Sequence, residues 1–189
     1  MKGISLLEVL IYIGVASLVG IILVRIFVQN NAFFLRESAQ VEQGLDTNQI
    51  SSQIYDSIRN ASSVAVSFVG GVTTYTSGPQ TLVLTLPSVN ASGSVIANTY
   101  DYLVITQDSQ NAKLLRKKIF PDALSSRQSE NRLLTTQLSS LTFSYYDQNS
   151  NIVSPQAASS VNFIAKVART VNQETQESSV SGQVNLRND

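Results

Sequence analysis

The chain has 189 residues, and its 13 basic and 13 acidic side chains give a formal net charge of zero. It contains neither histidine nor cysteine, which excludes Ser-His-Asp and Cys-His catalysis, disulfide bonds and thiolate metal sites. A neutral chain produces no field that attracts nucleic acid. Its carboxylates beyond the first thirty residues are scattered, so we expect no enzymatic activity, no catalytic residue, no cofactor and no metal.

The first predicted element is a long apolar helix. From Ile4 to Val24 the sequence reads ISLLEVLIYIGVASLVGIILV, which as a helix spans roughly 30 Å, the thickness of a hydrocarbon core. A secretory signal peptide is the alternative, but its apolar stretch is only about 7 to 15 residues long. Lys2 precedes the run and Arg25 follows it, so the charge bias is weak. We expect a single-pass protein of the cytoplasmic membrane with its short N-terminus inside.

Glu8 lies within this apolar run. An ionised carboxylate at the centre of a bilayer costs roughly 2.5 to 3.5 kcal/mol on insertion scales. One interpretation is that Glu8, one turn into the helix, reaches headgroup water and is favoured by the helix dipole. The other is that Glu8 pairs with a cation inside the membrane. The residues alone leave both interpretations open.

The string KGISLLEVL at residues 2–10 resembles the class III signal of type IV prepilins and pseudopilins. The resemblance implies a three-residue leader, cleavage between Gly3 and Ile4 on the cytoplasmic face, and methylation of the new N-terminal Ile4. Ile4 departs from the pattern, since Phe or Met is more usual there. The resemblance also implies that Glu8 docks subunits by meeting the freed amine of a neighbour, because a carboxylate and an ammonium are tolerable in lipid as a pair.

Four small residues interrupt the bulky apolar helix: Gly14, Ala16, Ser17 and Gly20. They favour close helix packing in a membrane. The alternative is local melting when a subunit leaves the membrane for a filament, since glycine lowers the cost of that change.

The helix is predicted to continue to about Asn60, with residues 4–28 in the membrane or filament core and residues 29–61 amphipathic. Apolar side chains recur at a spacing of four on one face of the second part, at Ile50, Ile54 and Ile58. We predict that these three are buried. The apolar spacing of four is interrupted beside Gly44, which favours a kink there.

From Ser62 the apolar period changes to two, which predicts strands. Six segments show it: TLVLTL (81–86), YDYLVIT (100–106), LLRKKIF (114–120), LTFSYYD (141–147), VNFIAKVA (161–168) and SVSGQVNL (179–186). Segments rich in Gly, Ser, Asn and Pro separate them. We predict an α+β fold in which residues 62–189 form one exported antiparallel sheet, with one face covered by the long helix, a pilin-like layout.

Three later segments resemble the larger minor pilins of the J-like or W-like kind: YDSIRNASSV (55–64), the strand pair around LTFSYYD, and VNLRN (184–188). The cysteine pair of many major pilins is absent, which favours a minor subunit. The resemblance implies a structural subunit of a type IV pilus, at the tip or in an initiation complex, in an extracellular or periplasmic filament. Its partners would be other pilin-like subunits, prepilin peptidase, the inner-membrane assembly platform and, before assembly, lipid.

Two alternatives remain, one within that family and one outside it. The first is a pseudopilin of type II secretion or a subunit of a competence pilus. The second is a signal-anchored binding domain that never polymerises.

Two weaker motifs lie in the sheet region. Asp147, Asn149 and Asn151 match the first three ligand positions of a calcium loop, but Ile152 and Ala158 replace the required glycine and glutamate, so a hairpin turn is favoured. The basic cluster comprises Lys113, Arg116, Lys117 and Lys118. Strand alternation separates Lys117 from Lys118, so a solvated strand is favoured over nucleic-acid binding.

Overall fold

The computed structural model describes residues 5–171 and 174–187. One α-helix, α1 (Leu6–Arg59), is followed within these ranges by ten strands and a short 3-10 helix at Pro155–Ala157. The strands are β1 Ser63–Val64, β2 Ser67–Gly70, β3 Thr73–Thr76, β4 Thr81–Val89, β5 Val95–Gln107, β6 Leu115–Phe120, β7 Glu130–Thr135, β8 Leu138–Tyr146, β9 Ser160–Val171 and β10 Glu174–Asn185. The predicted α+β class and all six predicted strands are confirmed.

Helix α1 is 54 residues long and continues without interruption past Gly44, beside which the sequence favoured a kink. It ends at Arg59, one residue before the predicted end. The chain divides into two compact units, Met1–Val41 and Glu42–Asp189. The helix therefore contributes residues to both units, and each unit is described separately below.

The second unit contains three antiparallel sheets rather than the single predicted sheet. Five strands follow the order β1-β4-β5-β6-β7, three follow the order β10-β9-β8, and β2 pairs with β3 as a hairpin. The prediction missed β1, β2, β3 and β7, which have two to six residues. Strands β1 to β3 are too short and too rich in Ser, Thr and Gly to show a period of two, and in β7 the apolar residues Leu133 and Leu134 are adjacent and do not alternate.

The main core lies between the end of α1 and the two larger sheets. Ile50, Ile54 and Ile58 are fully buried, as predicted. They belong to one apolar cluster with side chains of β4, β8 and β9, such as Leu84 and Phe163. Burying each isoleucine contributes about 1.5 to 3 kcal/mol relative to leaving it exposed, so this part of α1 is held by its own chain.

Polar contacts also hold this part of α1 against the sheets of the second unit. Lys117 on β6 donates a hydrogen bond to Gln53 on the helix at 3.2 Å. Glu42 forms an ion pair with Arg169 on β9. The helix is thereby connected to both larger sheets.

The prediction that only one face of the sheet is covered is wrong. Val83 and Val104 point away from α1 and are fully buried in a second cluster with residues of the β2–β3 hairpin. Phe68 of the hairpin stacks on Tyr102 with ring centroids 4.2 Å apart. A Cβ on Gly70 would lie 2.8 Å from the Phe120 ring, so the hairpin can approach the sheet closely only with glycine there. Both faces of the five-stranded sheet therefore carry packed apolar side chains, and the hairpin covers the far face around Val83 and Val104.

Candidate functional site: the apolar helix and Glu8

The first unit contains the part of α1 with no covering from the chain. Every large apolar side chain from Leu6 to Leu35 is exposed, by 44% at Val9 to 84% at Leu6. A helix that is apolar on all sides is stable only when lipid or other protein surrounds it. This helix is long and apolar enough to span a membrane. Its covering has to come from outside the described chain.

Glu8 lies in the first turn of α1 and is exposed. Its backbone N–H donates to the carbonyl of Ser5 at 3.0 Å. Among residues 5–171 and 174–187, no basic side chain forms an ion pair with its carboxylate. The next basic residue along the helix, Arg25, is about 25 Å away at 1.5 Å per residue. The site can therefore accept a cation from another molecule, or meet water at a membrane surface.

The predicted cleavage residues Gly3 and Ile4 lie outside the described residues. Helix α1 begins at Leu6, so Glu8 is within one turn of the helix start. The positive end of the helix dipole favours a carboxylate at such a position. This geometry is compatible with both interpretations of Glu8.

The four small residues make no close packing contact that would explain their size. A Cβ added to Gly14 or Gly20 would meet no atom within 4 Å. Ser17 donates its hydroxyl to the carbonyl of Ile13 at 2.8 Å, which satisfies it within the helix. Ala16 is exposed. Ala16, Ser17 and Gly20 fall within about 100° of helix arc, so they present a narrow face to whatever surrounds the helix.

The calcium candidate forms a tight hairpin turn between Tyr146 and Ile152. One carboxylate oxygen of Asp147 accepts the backbone N–H groups of Asn149 and Asn151, both at 2.8 Å. Its other oxygen accepts the Asn151 side-chain amide at 3.2 Å. These bonds, the one from the Asn151 backbone first, lower the pKa of Asp147. The three predicted residues come together, but N–H donors occupy the carboxylate, which is the geometry of a turn.

The basic cluster is divided between the two faces of β6, as alternation predicted. Lys117 points to the α1 side and lies 3.6 Å from Glu130. Arg116 and Lys118 lie on the opposite face, where Arg116 pairs with Asp108 at 2.9 Å. The exposed Lys113 lies outside the strand. The cluster therefore forms no continuous cationic patch.

Sequence reasoning missed Asp101, a buried carboxylate on β5. It accepts hydrogen bonds from the Ser88 hydroxyl at 2.8 Å, the Asp122 backbone N–H at 2.8 Å and the Ser125 hydroxyl at 2.9 Å. The Arg127 guanidinium donates a fourth hydrogen bond, from Nη1 to the Asp101 Oδ2 atom at 2.5 Å. This network fastens the segment between β6 and β7 to strands β4 and β5 of the sheet. An acidic residue among alternating apolar residues was the only available signal.

No model of a known protein family matches the chain, and no curated protein is significantly similar to it. The apolar helix and Glu8 are therefore the features of the molecule that bear on its function.

Proposed function

We propose that the chain is a minor pilin-like structural subunit of a type IV pilus or a related filament. The observation that carries the proposal is an apolar helix exposed on all sides, with one carboxylate in its first turn, joined to a packed β-rich unit. The helix holds the subunit in the cytoplasmic membrane with its N-terminus in the cytoplasm. Prepilin peptidase cuts between Gly3 and Ile4, and the sheet domain faces outward.

Glu8 selects the docked arrangement of subunits. Side chains and lipid tails are about equally apolar, so transfer of the helix from membrane to filament gains little from hydrophobicity. An unpaired carboxylate in lipid costs roughly 2.5 to 3.5 kcal/mol, whereas the freed amine of Ile4 on a neighbour neutralises it. The ion pair therefore sets which subunits meet and at which axial offset. The subunit acts at the tip or in the initiation complex, assembled by the inner-membrane platform.

Two other functions use the same features. A pseudopilin of type II secretion or a competence pilus subunit would use the same helix and the same pairing of Glu8. One observation supports the other candidate, a non-polymerising anchored binding domain: Glu8 lies in the first helical turn. Headgroup water reaches that depth, so Glu8 would need no partner there.

The first experiment determines the N-terminal residue. The full chain, expressed in a host with prepilin peptidase and its methylating activity, is digested and analysed by mass spectrometry. We expect a peptide that begins at Ile4 and carries one N-terminal methyl group. A chain that retains Met1 to Gly3 in such a host contradicts the proposal.

The second experiment tests docking separately. In the cognate host, we expect Glu8→Ala to reduce the amount of subunit in sheared filaments more than tenfold, because about 2 kcal/mol of lost pairing exceeds a factor of ten. The level of the variant in membranes should stay unchanged. Glu37→Ala is the matched control, since Glu37 is an exposed carboxylate on the same helix. Undiminished incorporation of the Glu8 variant excludes the docking role.

A further inference from the structure

A polar groove crosses the face of the five-stranded sheet that points away from α1. It has a cavity volume of about 530 Å³ and lies between β3 and the β5–β6 turn, a size typical of sites that hold a small ligand. Its floor contains Thr81, Thr106 and Arg116, which are register neighbours on β4, β5 and β6. Because adjacent strands are about 4.8 Å apart, this polar row is about 10 Å long.

Two cations of β6 enter the groove. Arg116 and Lys118 are two residues apart on one strand, so they share a face at a spacing of about 7 Å. Arg116 uses its Nε–H on Asp108, and Lys118 donates to the Tyr75 hydroxyl at 2.8 Å. Toward the residues that the structure describes, the Nη groups of Arg116 and the remaining Lys118 hydrogens make no hydrogen bond. These donors are available to a ligand.

The side chains that line the groove have a net charge of +1. Asp108 is its only carboxylate among the described lining residues, against Arg116 and Lys118. A hydrogen bond from the Gln110 backbone, followed by the bond from Arg116, lowers the pKa of Asp108, so it is ionised at neutral pH. A ligand with one negative charge therefore balances the groove.

The uncharged lining consists mainly of threonine hydroxyls and glutamine amides. Hydroxyls both donate and accept hydrogen bonds, and a ligand that displaces their water has to replace those bonds. An apolar ligand cannot do so. The aromatic ring at the groove, Tyr75, is only 9% exposed and has Lys118 over it, so it offers little open face for stacking a nucleobase.

We propose that the groove binds an acidic saccharide. The carboxylate of one sugar meets Arg116 and Lys118, and the sugar hydroxyls lie along the threonine floor. All residues involved belong to the second unit, so this proposal is independent of the proposed filament function.

The test uses the full chain in detergent micelles, and the probe is sialyllactose, a trisaccharide with one carboxylate. Saturation-transfer NMR titration should show saturable binding. Lys118→Gln should weaken it at least about tenfold, since a charge-assisted hydrogen bond is lost. Lys117→Gln is the matched control on the opposite face of the same strand and should leave the affinity unchanged.

A second variant guards against a structural effect at Lys118. Thr106→Val keeps the shape of the floor but removes a hydroxyl that shares a 2.8 Å hydrogen bond with the Thr81 hydroxyl. It should weaken binding several-fold with an unchanged circular dichroism spectrum. The proposal is overturned if sialyllactose shows no saturable binding, if neutral lactose binds equally well, or if an oligothymidylate binds more tightly. Equal losses in the Lys117 and Lys118 variants also overturn it.

Discussion

The two parts of helix α1 place the same kind of side chain in opposite surroundings. Ile22 in the first unit is 48% exposed, whereas Ile54 in the second unit is fully buried. The second part is covered by the sheets of its own chain. The first is an apolar surface without such a cover. The first part is much richer in apolar residues than the second, but only in the second unit do apolar side chains of the helix contribute to folding of the chain itself.

The carboxylates of the two units also differ in whether their own chain supplies partners. In the second unit the buried Asp101 has four hydrogen-bond donors, one of them Arg127. In the first unit Glu8 has no basic partner within the described ranges. The second unit therefore supplies the partners of its own buried carboxylate, whereas Glu8 has to meet water or another molecule.

The largest expected difference comes from one substitution made in both units. Ile54→Ala should lower the free energy of unfolding by about 2 to 5 kcal/mol, because it removes buried methyl groups and leaves a cavity. Ile22→Ala should change it by less than about 0.5 kcal/mol. Urea unfolding of the full chain in detergent, followed by far-ultraviolet circular dichroism, measures both. Equal losses of stability in the two variants would show that the two parts of α1 do not differ in their contribution to folding.

The second prediction concerns the buried carboxylate. Asp101→Asn should lower the free energy of unfolding by about 2 to 3 kcal/mol, since it removes the charge that Arg127 pairs with and disturbs three further bonds. The same urea titration applies. Glu37→Gln, at an exposed carboxylate of the first unit, is the control and should have no measurable effect. An unchanged free energy of unfolding in the Asp101→Asn variant would show that the network does not stabilise the fold.

The third prediction is a loss of stability at alkaline pH. Burial raises the pKa of Tyr145 from 10.0 to about 12, so the unfolded chain releases this proton first and stability should fall as pH rises from about 10 to about 12. Tyr145→Phe should cost about 1 kcal/mol at neutral pH, because it removes the hydrogen bond that the hydroxyl donates to the Gly78 carbonyl at 3.0 Å. It should also reduce the alkaline loss.

Urea midpoints between about pH 7 and pH 11.5 measure this effect. The control is Tyr12→Phe, since Tyr12 is an exposed tyrosine of the first unit. An alkaline loss that is the same in both variants would show that Tyr145 is not its source.

The smallest expected effect is at the Asp147 turn. Its lowered pKa means that the ionised form stabilises the folded state above the ordinary value near 3.8, and that this contribution is lost as pH falls through the lower folded-state value. Asp147→Asn should therefore lower the urea midpoint slightly at pH 7, and the difference from the unaltered chain should vanish at the acid end. A difference independent of pH would assign the effect to side-chain geometry instead of charge.

Several features could be predicted from the sequence because they depend on residues close together in the chain. The helix end, the burial of Ile50, Ile54 and Ile58, and the division of the cations on β6 follow from periods of 3.6 and 2.0 residues. The length of the apolar helix and the position of Glu8 are likewise properties of one continuous segment.

Other features were decided by contacts between distant segments. Asp101 meets Arg127, 26 residues away, and Lys118 meets Tyr75, 43 residues away. The second covered face of the sheet exists because the β2–β3 hairpin packs over Val83 and Val104. A local pattern specifies which side of a strand is apolar, but the segment that covers it is set by strand order, register and packing. That is why the sequence predicted the apolar elements, and only the tertiary structure placed the hairpin, the buried carboxylate network and the polar groove.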